Sequence, residues 1–231
     1  MQGVADTTPG SYRRGVFLMV LATLLFVALD TTAKYLTQYY PVEQIIWARF
    51  TFHLLFACAV LYSQPGGTLR TRRPGLQFVR SFFMLAANGC FLFAIKTMSL
   101  VDTTSIVFVG PLIVTALSVP LLGERVGPRR WAAVLVGFVG AMIIIQPGTG
   151  VFQSVAVLPL MAAFAFAFYQ IITRVLSRSD DPLTTLVYTA LIGTLVSSAC
   201  LPWYWESPDL TGWLLLVTAG GFGALGQLSL I

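Results

Sequence analysis

Apolar residues form eight long stretches along the chain, and short segments rich in polar or helix-breaking residues separate them. A membrane-spanning helix needs about 20 mostly apolar residues. Each stretch approaches that length when isolated polar residues are allowed. Proline and glycine mark the separators, as in the QPGG sequence at 64–67. The predicted spans are residues 15–38, 44–63, 76–97, 102–122, 130–146, 154–175, 183–203 and 211–231.

Lysine and arginine collect in alternate loops between these spans, as the positive-inside rule expects of cytoplasmic loops. The clusters are Arg13 and Arg14; Arg70, Arg72 and Arg73; Arg125, Arg129 and Arg130; and Arg174 and Arg178. The intervening loops carry mainly acidic residues, with Lys96 as the one cation near that side. A missed or invented helix would break this alternation. The pattern therefore predicts a cytoplasmic N-terminal tail at 1–14 and an integral protein of the plasma membrane, the inner membrane of a bacterium.

Composition agrees with a membrane protein and argues against other classes. Hydrophobic residues make up 57% of the chain and charged residues 10%, whereas soluble domains carry about 25% charge. The net charge of +5 comes from short clusters between apolar runs, so it indicates topology and not nucleic-acid binding. The three cysteines form no CxxC pair, and His53 is the sole histidine. We therefore expect neither a disulfide framework nor a metal site.

A weak internal repeat links positions five helices apart. Lys34 and Arg174 each follow a polar residue by four positions, Asp30 and Gln170 respectively, and each precedes a proline turn, at Pro41 and Pro182. A second correspondence sets residues 87–89 against 224–226. Because five is an odd number of spans, the second copy must enter the membrane from the opposite side.

This repeat predicts an all-α polytopic membrane protein built from two inverted five-helix repeats. Residues 15–148 form the first repeat, and residues 149–231 form a second repeat that is truncated in its third helix. Eight of ten expected helices are then present. We expect two further spans after Ile231, in a protein of about 300 residues.

Three segments carry a resemblance to a known family. They are ARF at 48–50, TTSIVFVGPLIVTALSVPLLGERV at 103–126 and GFVGAMIIIQPG at 137–148. Together with the repeat, they resemble the EamA-type carriers of the drug/metabolite transporter superfamily, and the likeness covers residues 15–231. Within that superfamily the sequence is similar to bacterial carriers for S-adenosylmethionine uptake, while riboflavin, amino-acid and general metabolite carriers share much of the pattern. The resemblance implies ten helices in two inverted five-helix repeats.

Charged residues inside the predicted spans are the main candidates for function, because such charges usually face the bundle interior or a wet cavity. Asp30 and Lys34 lie four residues apart on one helical face. Asp30 is either a proton or substrate-amine site or an internal ion-pair partner of Lys34. Arg49 either clamps a substrate carboxylate or phosphate or extends to the membrane interface. His53 is either a proton relay or a hydrogen-bonded helix contact.

Polar uncharged residues and one helix break complete the candidate site. Asn88, Gln227 and Gln170, the last beside Tyr169, either bind substrate or join helices by hydrogen bonds. Gly110 and Pro111 interrupt the fourth span, as part of a site or as a packing kink. The intramembrane cations Lys34, Arg49, Arg80 and Lys96 outnumber Asp30, which suggests an anionic group on the substrate.

These features predict a secondary transporter that moves a small polar organic metabolite by alternating access. The chain lacks a G-x-x-x-x-G-K-[ST] loop, so we expect no cofactor and coupling to a gradient or to exchange, with Asp30 the first proton candidate and His53 the second. An intramembrane enzyme is disfavoured because H-E-x-x-H and G-x-S-x-G are absent, and a non-transporting scaffold is the third class. The expected partners are the lipid bilayer and a small solute, not nucleic acid, and a homodimer is compatible with the sequence.

Overall fold

The computed structural model describes residues 9–63, 69–123, 127–145 and 156–229. Within these ranges the regular secondary structure is helical, and a short 3-10 helix, Leu201–Trp203, extends the eighth α-helix. The α-helices are α1 Pro9–Leu36, α2 Val42–Ser63, α3 Pro74–Thr97, α4 Leu100–Val107, α5 Gly110–Leu122, α6 Pro128–Ile145, α7 Val157–Leu176, α8 Pro182–Cys200 and α9 Leu210–Leu228.

The predicted spans all appear as helices. In the described ranges, seven helical segments are long and apolar enough to cross a membrane, with α4 and α5 together forming one of them at Leu100–Leu122. The α6 helix contributes a shorter apolar stretch, Trp131–Gly140. Large apolar side chains such as Phe17, Leu24 and Val136 are more than half exposed, which is expected of helices that face lipid. The prediction of an all-α polytopic membrane protein is confirmed.

The fourth predicted span is divided into two helices. The α4 helix ends at Val107 and α5 begins at Gly110. Pro111 has no N–H group, so the Val107 carbonyl cannot receive the bond that would continue one helix through this point. A tighter turn replaces it, in which the Val109 N–H donates to the Ile106 carbonyl (3.1 Å). A Cβ added at Gly110 would lie 3.9 Å from the Ala163 carbonyl oxygen, so the break lies close to α7.

Two helix hairpins, α1–α2 and α7–α8, turn in the same way. The Tyr40 N–H donates to the Leu36 carbonyl (2.9 Å), and 140 residues later the Asp180 N–H donates to the Leu176 carbonyl (2.9 Å). The helix ends obey the same separation, because α1 ends at 36 and α7 at 176, whereas α2 begins at 42 and α8 at 182. Lys34 and Arg174 fit this register. Pro41, however, corresponds to position 181 and not to Pro182, one residue away from the pairing that the sequence suggested.

Helix packing repeats the same relation. The α1 helix packs on α9 as α3 packs on α7, and α2 packs on α9 as α3 packs on α8, while α2 and α8 pack on each other. This set of contacts is unchanged when α1, α2 and α3 are exchanged with α7, α8 and α9. The α2 and α8 helices run antiparallel, because Trp47 contacts Ser198 at one end whereas Ala57 packs near Leu183 at the other. The main buried cluster lies among α1, α2, α3 and α9 and includes Leu36, Ile45, Leu92, Ile95 and Leu216.

Candidate functional site

A cavity of about 600 Å³ lies among α1, α2, α3, α7, α8 and α9. Seven of the eight candidate side chains from the sequence line it: Asp30, Arg49, His53, Asn88, Tyr169, Gln170 and Gln227. Lys34 does not line the cavity. The helices bring these residues together from both ends of the chain, which gives one wall of the cavity its charge and another its aromatic character.

The charged wall consists of Asp30 from α1 and of Arg49 and His53 from α2. Arg49 Nη2 lies 3.7 Å from Asp30 Oδ1, an ion pair that is longer than a hydrogen bond. Arg49 and His53 share one face of α2 because they are four residues apart. Arg49 Nη1 and His53 Nε2 are buried and have no hydrogen-bond partner within the described part of the chain. Since buried polar groups are nearly always hydrogen-bonded, these two atoms are available to an acceptor on a bound solute.

Two alternatives from the sequence are wrong. Arg49 does not extend to the membrane interface, because its side chain is only 14% exposed and faces the cavity. Lys34 does not form the ion pair with Asp30. Its Nζ donates instead to the carbonyls of Ile95 and Met98, the latter at 2.9 Å, at the end of α3. The last carbonyls of a helix lack partners inside the helix, and Lys34 therefore caps α3.

Aromatic side chains form another part of the wall. The rings of Phe166 and Tyr169 stack with centroids 5.6 Å apart and an interplanar angle of 19°. The Arg80 guanidinium carbon lies 4.4 Å from the Tyr169 ring centroid, within cation–π distance. Phe26 and Phe50 line the cavity from α1 and α2. The cavity thus offers both charged groups and flat apolar surfaces to a solute.

Arg80 was not among the site candidates from the sequence, although it holds part of this wall in place. The residue is 4% exposed, and its Nε donates to Thr173 Oγ1 (2.6 Å), its Nη1 to the Thr185 carbonyl (3.0 Å) and to Thr189 Oγ1, and its Nη2 to the Tyr169 hydroxyl (2.8 Å). The signal in the sequence is a charge inside the third span together with threonines in the sixth and seventh. Hydropathy alone does not connect them.

The remaining candidates are less engaged with the charged wall. The Asn88 amide donates to the Met84 carbonyl of its own helix (3.2 Å), so this bond does not join two helices. Gln170 is exposed toward the cavity, and Gln227 lines it from α9. Gly110 and Pro111 do not line the cavity. A Cβ added at Gly110 would lie 4.0 Å from the Phe166 ring, so the helix break supports the aromatic wall from behind.

One end of the helix bundle is closed by contacts around Asp209. The Tyr40 hydroxyl donates to Asp209 Oδ1 (2.9 Å), the Gln44 amide donates to the Glu206 carbonyl (2.8 Å), and the Glu206 N–H donates to Gln44 Oε1 (3.0 Å). The Gly212 N–H and then the Tyr40 hydroxyl lower the pKa of Asp209. Desolvation, followed by the bond to Asp209, raises the pKa of Tyr40. These contacts, here named the Asp209 latch, join the α1–α2 turn to the α8–α9 loop.

The other end is closed by contacts around Asp180. Its carboxylate accepts hydrogen bonds from Thr71 Oγ1, from Gln77 Nε2 (2.9 Å) and from the Arg72 N–H (3.3 Å). Desolvation acts to raise the pKa of Asp180, but the hydrogen bonds from Thr71, Gln77 and Arg72 outweigh it and the pKa lies below its ordinary value. These contacts, here named the Asp180 latch, join the α7–α8 turn to the segment before α3.

Metal binding finds no support in the described residues, where no group of three or more His, Cys, Asp or Glu side chains lies close enough to hold an ion. The described acidic and histidine side chains of the site instead belong to the ion pair and its neighbour. The chemistry that this arrangement supports is reversible binding, through ion pairing, hydrogen bonding and stacking.

Comparisons with known proteins point to one family. Residues 13–146 match the model of the EamA-like transporter family. The chain is 31% identical over 219 residues to a riboflavin transporter of Vibrio cholerae, covering 93% of this chain and 74% of that protein. It is 25% identical over 215 residues to an S-adenosylmethionine uptake transporter of Rickettsia felis, covering 93% and 73%. A solved crystal structure superposes with a TM-score of 0.68 at 19% identity, covering 94% of this chain and 78% of the other. This last likeness shows the fold alone.

Proposed function

Because the chain belongs to the EamA-like transporter family, whose members here are named as transporters of small metabolites, we propose that it is a secondary carrier that moves a small polar organic metabolite by alternating access. The observation that carries the proposal is the cavity, which places an ion pair and two unpartnered donors inside an otherwise apolar bundle. Charged groups inside a membrane are costly and usually serve a solute or ion pathway. The cavity is therefore the proposed substrate site.

We further propose that residues 15–148 and 149–231 are two inverted repeats that move against each other. The matching hydrogen bonds of the α1–α2 and α7–α8 turns support this division, as does the exchange relation among the packed helices. The cavity obeys the same register. Lining positions separated by 139 or 140 residues are Phe26 and Phe166, Leu29 and Tyr169, Asp30 and Gln170, Met84 and Gly223, and Asn88 and Gln227. Two related halves thus contribute equivalent positions to one site.

Alternating access requires that each end of the site can open while the other stays closed. The Asp209 latch and the Asp180 latch both join one proposed half to the other, at opposite ends of the bundle. A rocking motion would break one latch and keep the other. The alternation of cations supports a cytoplasmic N-terminus, which assigns the Asp180 latch to the cytoplasmic side and the Asp209 latch to the outside of a bacterial inner membrane.

Flux measurements with the full-length protein in proteoliposomes test this function. Radiolabelled riboflavin and S-adenosylmethionine are the first solutes, because the two relatives are named for them. We expect saturable uptake of a solute that protein-free liposomes do not take up. An intact, folded protein that moves no metabolite in a wider screen would instead favour a non-transporting scaffold.

A cavity-filling variant tests whether the cavity is the path. Gly223 lines it, and a Cβ there would lie 3.6 Å from Leu29 Cδ2 and 3.7 Å from His53 Nδ1, so Gly223→Leu fits the helix and fills the space beside His53. We expect a loss of flux of about tenfold or more, since filling a site by several heavy atoms costs at least about 1.4 kcal/mol of binding. Gly140→Leu is the matched control, because nothing lies within 4 Å of a Cβ at Gly140. Equal flux in both variants would locate the path elsewhere.

A further inference from the structure

We propose that Arg49 and Asp30 together recognise a zwitterionic group on the solute, an ammonium beside a carboxylate as in an α-amino acid. The carboxylate binds Arg49 Nη1 and His53 Nε2, and the ammonium binds the Asp30 carboxylate. This inference rests on the proposed function of the cavity as the substrate site, and it names the class of head group that the site selects.

The Arg49 side supplies the donors for a carboxylate. Arg49 Nη1 and His53 Nε2 are both buried, both belong to side chains that line the cavity, and neither has a protein partner in the described residues. A guanidinium presents its N–H groups in a planar fork that matches the two oxygens of a carboxylate. The fork of Arg49 is incompletely used, because its contact with Asp30 is 3.7 Å long.

The Asp30 side supplies the acceptors for an ammonium. Its side chain is 26% exposed, toward the cavity, and the ion pair with Arg49 is the one polar contact it has among the described residues. An ionised carboxylate offers about four acceptor sites, so most of the capacity of Asp30 stays open. An ammonium has three donors and no acceptor, which makes it the complementary group.

Charge balance separates a zwitterion from a simple anion. The excess of cations seen in the sequence does not reach the cavity, because Lys34 caps α3 and the donors of Arg80 are taken up by threonines and Tyr169. Asp30 and Arg49 leave the charged wall neutral. A lone carboxylate bound to Arg49 would lie beside Asp30 and be repelled, whereas a zwitterion adds one favourable contact to each member of the pair.

The contrast between the two buried arginines supports this assignment. Arg80 uses its Nε, Nη1 and Nη2 atoms in hydrogen bonds and stacks its plane on Tyr169, so it holds the aromatic wall and has no edge left for a solute. Arg49 has the open edge. The stacked rings of Phe166 and Tyr169 then provide a surface for an aromatic body attached to the head group.

Three probes with the same ring and similar length test the head group without any variant. They are L-phenylalanine, which has both charges, 3-phenylpropanoate, which lacks the ammonium, and 2-phenylethylamine, which lacks the carboxylate. Thermal unfolding of the full-length protein in detergent reports binding, because a ligand that binds the folded state raises the Tm. We expect L-phenylalanine to raise the Tm, with at least about tenfold tighter binding than either single-charge probe. Equal binding of 3-phenylpropanoate, or no binding of L-phenylalanine, overturns the proposal.

Two variants assign each charge to its residue. Asp30→Asn should weaken L-phenylalanine and remove its advantage over 3-phenylpropanoate, while Arg49→Gln should remove its advantage over 2-phenylethylamine. Lys96→Gln is the matched control, since it neutralises an exposed cation outside the cavity and should leave the ranking unchanged. An unchanged ranking in folded Asp30→Asn contradicts the proposal. The proposed function fails on a different result, an absence of flux for every metabolite tested, so the two failures are distinguishable.

Discussion

Replacing Gly220 with alanine probes how closely α9 packs on α2. A Cβ at Gly220 would lie 2.3 Å from Phe52 Cβ and 3.3 Å from Phe52 Cα. The Phe52 Cβ atom is bonded directly to the backbone, so no rotamer change moves it away. The two helices must therefore separate, or one must shift along the other, to accommodate a single methyl group.

The expected cost follows from the size of that overlap. Nonbonded carbon atoms rest at about 3.5–4.0 Å, so the added methyl would intrude by more than about 1 Å. Overpacking of this kind costs typically about 1–3 kcal/mol, while alanine regains at most about 1 kcal/mol of helix propensity over glycine. Overpacking wins by about 1–2 kcal/mol. For a chain of this size, each kcal/mol lowers the Tm by about 2–4 °C, which predicts a decrease of about 5 °C.

Thermal unfolding in detergent measures this effect, with Gly223→Ala as the matched control on the same helix. A Cβ at Gly223 would lie 3.6 Å from Leu29 Cδ2 and 3.7 Å from His53 Nδ1, ordinary contact distances. We expect the control to leave the Tm unchanged or slightly raised. A Tm for Gly220→Ala equal to that of the control would refute the close approach of α9 to α2.

Three further predictions concern buried polar groups outside the charged wall of the cavity. The lowered pKa of Asp180 stabilises the folded state above the ordinary value of 3.8 and this contribution is lost as pH falls through the folded pKa, so the Tm difference between wild type and Asp180→Asn should be constant above about pH 5 and shrink below it. Lys34→Met should lower stability by about 1–3 kcal/mol in thermal unfolding, because two carbonyls lose their donor, yet leave solute affinity unchanged in a binding titration. Arg80→Lys should lower the Tm more than Arg49→Lys, because an ammonium cannot reproduce the hydrogen bonds of the Arg80 fork.

Hydropathy was sufficient to predict the helices, because a bilayer requires apolar stretches of a set length. The break before Pro111 also follows from local chemistry, since the missing N–H acts within one turn of helix. The repeat register was predicted to within one residue at the α1–α2 turn, where Lys34 and Arg174 are correctly spaced but Pro41 and Pro182 are not. Proline does not fix the register because it is tolerated at either of two neighbouring positions of a helix start.

Pairing between distant side chains could not be predicted from local pattern. Asp30 and Lys34 share a helical face, so proximity along the chain suggested an ion pair, yet Arg49 of the next helix is the partner. Arg80 lies near the start of its predicted span, where a cation can extend to the interface, and its partners are 89 to 109 residues away. Which side chains meet depends on helix rotation and crossing, and those are set by packing across the whole bundle.

Counterflow in proteoliposomes tests the central claim most directly. Vesicles that contain the full-length protein are loaded with unlabelled S-adenosylmethionine or riboflavin, then diluted into a trace of the same labelled solute. A site that is open to one side at a time exchanges solute faster than it returns empty, so the account predicts a transient accumulation of label above its equilibrium level for the transported solute, and its loss in Gly223→Leu. Uptake that rises to equilibrium without an overshoot, whatever the vesicles contain, would contradict alternating access through this cavity.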